Sequence, residues 1–121
     1  MALALDIMKG GVSAVTAGAI QGQTNSAITA AGSTISDATA LTASNNVITT
    51  AAASTGVQIP NSQIGDEVDI LNLGANAVTV YPPTSSQINA LAASQGFLLA
   101  ANTAVKVKKF TSTRWMAFLS A

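Results

Sequence analysis

From Glu67 to Leu119 the chain runs in short alternating stretches, each closed within about ten residues by Gly, Pro, Asn or Ser. That punctuation leaves no segment long enough for an ordinary helix; at most Ala90 to Ser94 forms one turn. Glu67-Val68-Asp69-Ile70 alternates polar and apolar residues, and Leu71-Asn72-Leu73 then alternates in the opposite phase. The slip predicts a bulge, or a strand buried on both faces at its far end. Gly74-Ala75-Asn76 reads as a tight hairpin turn, with Val78 to Tyr81 as the return strand. Pro82 and Pro83 stop it, because proline donates nothing to a ladder. Gln87 to Leu91, Phe97 to Leu99, Thr103 to Phe110 and Trp115 to Leu119 continue the series.

The first half carries a weaker version of the same signal. Ala27 to Ala30, Thr39 to Ala43, Val47 to Ala51 and Gly56 to Pro60 read as short strands, with Ser44-Asn45-Asn46 as a turn that suits left-handed backbone. The expected fold is all-β, an antiparallel β-sandwich or jelly-roll-like barrel over residues 25–121. All five aromatics, Tyr81, Phe97, Phe110, Trp115 and Phe118, fall in the second half, which is expected to supply the main core.

Residues 1–24 differ in character. Gly10-Gly11, Gly18 and Gly22 interrupt any helix, while Leu3, Leu5 and Ile7 alternate as a strand does before Met8 breaks the pattern. The segment reads as an extended N-terminal arm that docks on its own domain or on a partner, against the alternative of a disordered tail. Leu3, Leu5, Ile7 and Met8 are its candidate contact residues. The start lacks the basic and apolar succession of a signal peptide, so synthesis in a cytoplasm is expected.

Composition narrows function. The 121 residues are 49% hydrophobic and 8% charged, with five basic and five acidic side chains. A charge content far below the usual quarter fits a chain that stays packed against neighbours. Zero net charge gives no grip on nucleic acid or anionic lipid. The charge-free stretches Gly10 to Ser36 and Leu71 to Val105 are broken by polar residues and are not membrane spans. With no His and no Cys, the commonest general base, metal ligand and thiolate nucleophile are missing. The expectation is therefore no enzyme, no cofactor and no metal.

Asp66, Glu67 and Asp69 form the one carboxylate cluster. Glu67 and Asp69 share a strand face about 7 Å apart, which reads as a solvated face rather than a catalytic pair. Lys106, Lys108 and Lys109 make a small basic patch, with Arg114 across a hairpin. Two readings stay open for it. One is an edge strand guarded by lysines. The other is an inter-subunit polar contact pairing Asp66, Glu67 and Asp69 with Lys106, Lys108 and Arg114. Trp115 reads as core.

A longer pattern spans Ile28 to Leu119. It includes Gly56-Val57-Gln58-Ile59-Pro60, Ile64-Gly65-Asp66-Glu67-Val68 and Asn72-Leu73-Gly74-Ala75-Asn76-Ala77-Val78-Thr79-Val80-Tyr81-Pro82-Pro83. Ile88-Asn89-Ala90-Leu91, Leu99-Ala100-Ala101-Asn102-Thr103-Ala104 and Ser112-Thr113-Arg114-Trp115 follow. The series resembles small β-rich structural modules of tailed bacteriophages, found as capsid decoration (cement) proteins and in head-fibre or tail-associated proteins. Ala90 stands where that pattern has glycine, and Arg114 replaces a more usual polar residue before the Trp. The resemblance implies a homotrimer on the capsid exterior of the virion, clamping neighbouring copies of the major capsid protein. The alternatives are a head-fibre or tail-associated component and a carbohydrate-binding adhesin.

Overall fold

The computed structural model describes residues 24–120. They are all-β, in ten strands: β1 (Thr24–Ala30), β2 (Thr39–Ala40), β3 (Asn45–Ala51), β4 (Gly56–Gln58), β5 (Glu67–Asn72), β6 (Val78–Tyr81), β7 (Gln87–Ile88), β8 (Phe97–Leu99), β9 (Thr103–Lys109) and β10 (Arg114–Leu119). A six-stranded sheet runs β1-β3-β5-β9-β10-β7, and a four-stranded sheet runs β2-β4-β6-β8.

Through β6 the chain alternates between the sheets, and each strand lies parallel to the one two places before it. Thr24 pairs with Asn45, 21 residues on, and Asn45 with Asp69, 24 residues on. The result is a β-solenoid-like stack of coils. Parallel neighbours need a crossover, and here a strand of the opposite sheet supplies it. The antiparallel pairing expected throughout is confined to β5–β9, β9–β10 and β6–β8, where the chain doubles back on the last coil. The expected hairpin around Gly74 is a corner instead. β5 and β6 leave it for different sheets, because Asn72 and Gly74 turn inward on each other rather than pairing the flanking strands.

The inward side chains of both sheets form one cluster. Ile28, Ile48, Val68, Ile70, Val105, Val107 and Trp115 come from the long sheet, and Val57, Val78, Val80 and Leu99 from the short one. Leu41 and Ile59 close it at the corners after β2 and β4. This core is aliphatic. Of the aromatics, Trp115 is fully buried and Phe97 packs against the cluster, whereas Phe110 and Phe118 are exposed.

The phase slip at Leu71-Asn72-Leu73 is explained without a bulge. β5 keeps a strict inward–outward alternation, and the inward slot at its end holds an asparagine. Asn72 is fully buried. Its Nδ2 donates to the carbonyls of Asn76 (2.9 Å) and Leu99 (3.1 Å), and its Oδ1 accepts from Gly74 N–H (2.9 Å). Gly74 must lack a side chain, since a Cβ there would sit 2.6 Å from that of Ala51. At the start of β3 the buried Asn46 also serves the backbone, its Nδ2 donating to the carbonyls of Ala43 and Asp69.

Asn72→Leu removes one donor group and one acceptor that satisfy two buried backbone groups, Leu99 C=O and Gly74 N–H, and the part-buried carbonyl of Asn76. At about 1–3 kcal/mol for each buried group left unpaired, we expect a loss of at least about 2 kcal/mol in urea unfolding. Ser54, by contrast, is an exposed residue at φ 63°. Ser54→Gly is expected to raise stability by up to about 1 kcal/mol in the same titration.

Candidate functional site

The outer face of the six-stranded sheet gathers the side chains that the alternating strands turn away from the core. Register sets them in rows. Asn45 lies beside Asp69, Asp69 beside Lys106, and Lys106 beside Phe118. The next row is Val47, Leu71 and Ala104. On the other side Glu67, Lys108 and Met116 line up. A shallow, open concavity lies over the first two rows, floored by Val47, Leu71 and Ala104 and rimmed by Phe118 and Leu119. Phe118 is 54% exposed and Leu119 61%. Phe118 shares the outer face with Lys106, whereas Leu119, paired with the core residue Val105, lies on the other side at the strand's end. A large apolar side chain left in water beside Val47 and Leu71 marks a surface suited to contact with another protein.

Charge borders this patch. Lys106 Nζ lies 3.9 Å from Glu67 Oε2 with both groups well exposed, a pair that contributes at most about 1 kcal/mol in water. Lys108 Nζ sits 5.5 Å from the centre of the Phe110 ring. Burial pushes the Asp69 carboxyl above its ordinary value; Lys106 pulls it down and Glu67 adds to the rise. The low-dielectric strip of Leu71 and Val47 beside it accounts for that burial.

The expected polar contact set thus splits. Glu67, Asp69, Lys106 and Lys108 meet on one face of a single chain. Asp66 turns into the preceding loop, where Oδ2 accepts from Gln63 N–H at 3.0 Å. Arg114 Nη2 donates to Gln87 Oε1 at 2.8 Å and ties β10 to the two-residue β7. The guarded-edge reading of the lysines fails, because β9 lies between β5 and β10. Lys109 does not belong to the basic patch. It ends β9 on the inner side and is buried, with Nζ donating to Asn61 Oδ1 (3.2 Å) and the Ser62 carbonyl (2.6 Å). Leu3, Leu5, Ile7 and Met8 lie outside the described residues.

Sequence reasoning missed the apolar half of this face. Leu71 was legible only as part of a phase slip, and Phe118 as one more core aromatic. A pairing register is what brings Val47, Leu71, Ala104 and Phe118 to one spot. Among the described residues no three His, Cys, Asp or Glu side chains gather as a metal site, and no helix is long and apolar enough to cross a membrane. The chain matches no family model, no curated protein and no solved structure.

The Asp69 shift predicts a pH dependence. A carboxyl raised in the folded state takes up its proton more readily there than in the unfolded chain. Its contribution to stability is therefore full at low pH and is lost as pH rises from the ordinary carboxylate range through the raised value. Asp69→Asn is expected to unfold at higher urea than the parent at pH 7, with the gap closing by about pH 3.

Proposed function

We propose that this chain is a structural module that binds protein surfaces through the outer face of its six-stranded sheet. The observation that carries this reading is the open apolar concavity of the half-buried Val47 and Leu71 and the exposed Phe118, set beside charged rows. Apolar centres with polar rims are the usual anatomy of a protein interface. The low charge of the whole chain supports the same reading.

Placement follows from the sequence resemblance. We read the module as a decoration protein on the capsid exterior of a tailed phage, where a homotrimer holds neighbouring major capsid subunits together. Many modest contacts repeated over a lattice add up to a large collective stabilisation. We read the body as a two-sheet sandwich wound as a coil rather than as a jelly roll. A second reading, a head-fibre or tail-associated component, draws support from that same stack, because stacked coils build along one dimension.

The test uses purified heads lacking this chain. The parent protein is expected to co-sediment in numbers comparable to the major capsid protein. Phe118→Asp combined with Leu71→Arg is expected to abolish binding while leaving the thermal unfolding midpoint within a few degrees. Equal binding by the variant sinks the interface assignment, and a few copies at one vertex favours the fibre reading. Light scattering of the free protein is expected to give a trimer; a monomer counts against a pre-assembled clamp.

A further inference from the structure

The outer face of the long sheet carries charge in two neighbouring columns of opposite sign. Glu67 and Asp69 lie on β5, with Lys108 and Lys106 beside them on β9, matched pair by pair across the antiparallel ladder. The next level on the same face pairs the large Leu71 with the small Ala104. Among the described residues one ion pair uses these charges, Lys106 with Glu67 at 3.9 Å, and both residues are exposed. Lys108 turns instead to the Phe110 ring. One half of the face is thus the electrostatic and steric complement of the other half.

We propose that this face pairs with the same face of a second copy of the chain, about a two-fold axis running along the strands between β5 and β9. The inference rests on the reading of this face as a protein-binding surface, and it names the chain itself as the occupant in the free protein. Register fixes the orientation. Rotation about that axis lays β5 of the second copy over β9 of the first and keeps each residue at its own level along the strand. Glu67 then meets the second copy's Lys108, Asp69 its Lys106 and Leu71 its Ala104, each contact being made twice. Phe118, level with Lys106 and Asp69, meets the second copy at Asn45, beside Val47 in the open concavity. A two-fold axis across the strands instead lays β5 on β5, with carboxylate over carboxylate and ammonium over ammonium. Only the axis along the strands gives the self-complementary patch that a two-fold contact requires. Sheets packed face to face stand about 10 Å apart, a gap that a lysine and an acid span together. Exposed ion pairs contribute little each. The charges therefore set partner and orientation, while Leu71 and Phe118 supply the apolar area. A two-fold contact builds no trimer, so it is separate from the three-fold contact of the proposed clamp, and it competes with the capsid for one face.

Exchanging all four charges tests the orientation, because the two columns keep opposite signs within each chain. The variant carries Glu67→Lys, Asp69→Lys, Lys106→Glu and Lys108→Glu. Trace protein, labelled at a cysteine added after Ala121 because the chain has none of its own, is titrated with unlabelled protein to about 1 mM and followed by fluorescence anisotropy. Parent is expected to bind parent, and variant to bind variant. Variant is expected to bind parent at least tenfold more weakly, since like charges then face each other at all four positions. A flat parent titration, or a variant that binds the parent as tightly as the parent binds itself, overturns the proposal. Two half-exchanges guard against a fold disturbed by the fourfold change. Glu67→Lys with Asp69→Lys, and Lys106→Glu with Lys108→Glu, are each expected to lose self-association and to bind one another; failure of these two to bind one another overturns the proposal. Binding to heads is measured on the same parent preparation. A parent that binds heads but gives a flat titration overturns the self-pairing alone. A parent that pairs with itself but leaves heads bare upholds the pairing and overturns the capsid reading.

Discussion

Asn72 fixes its own corner and ties it to a strand 27 residues further on. Its side chain satisfies the carbonyl of Leu99, the carbonyl of Asn76 and the N–H of Gly74. A chain that passes from one sheet to another at every turn must bury backbone groups at each corner, and buried peptide groups without partners are costly. Asn46 at the corner between β2 and β3, donating to Ala43 and Asp69, and Asn76 donating to Ala51 answer the same need. Once the corners are satisfied, the strands between them can be short and their inward side chains small. Val, Ile and Leu then fill the space between the sheets with only one indole among them.

The winding also decides where the molecule can meet others. Coils stack on their neighbours, so the body has an end as well as faces. At one end β8 and β9 run back antiparallel on the last coil and close it. At the other, β1 ends the long sheet among the described residues and carries no charge. The outer face of the long sheet is different in kind. Its central strands β3, β5, β9 and β10 each have a partner on both sides, so what meets this face meets side chains: Phe118 and Leu71 for apolar area, with Glu67, Asp69, Lys106 and Lys108 as its charge.

Most of the strands were legible from sequence, since period-two alternation and turn residues are local properties. The runs at Val47, Glu67, Val78 and Thr103 all lie within strands. What failed was non-local. Gly74-Ala75-Asn76 has the composition of a hairpin turn, and nothing local distinguishes a hairpin from a corner between sheets. Lys109 looked like its neighbours Lys106 and Lys108, but alternation turns it to the other side, where Asn61 and Ser62 hold its ammonium. The charged half of the candidate face was legible because Glu67 with Asp69, and Lys106 with Lys108, are each two residues apart.

By itself, the sequence determined an all-β chain. Its segments are too short and too punctuated for ordinary helices, and it contains no His and no Cys. Only the tertiary structure decided that the first six strands wind in parallel, that β9 is central, and that Val47, Leu71, Ala104 and Phe118 share one patch. The reason is that strand identity follows from alternation along the chain, whereas strand partners follow from which corners can bury their peptide groups. That choice depends on contacts such as Asn72 to Leu99, made across 27 residues.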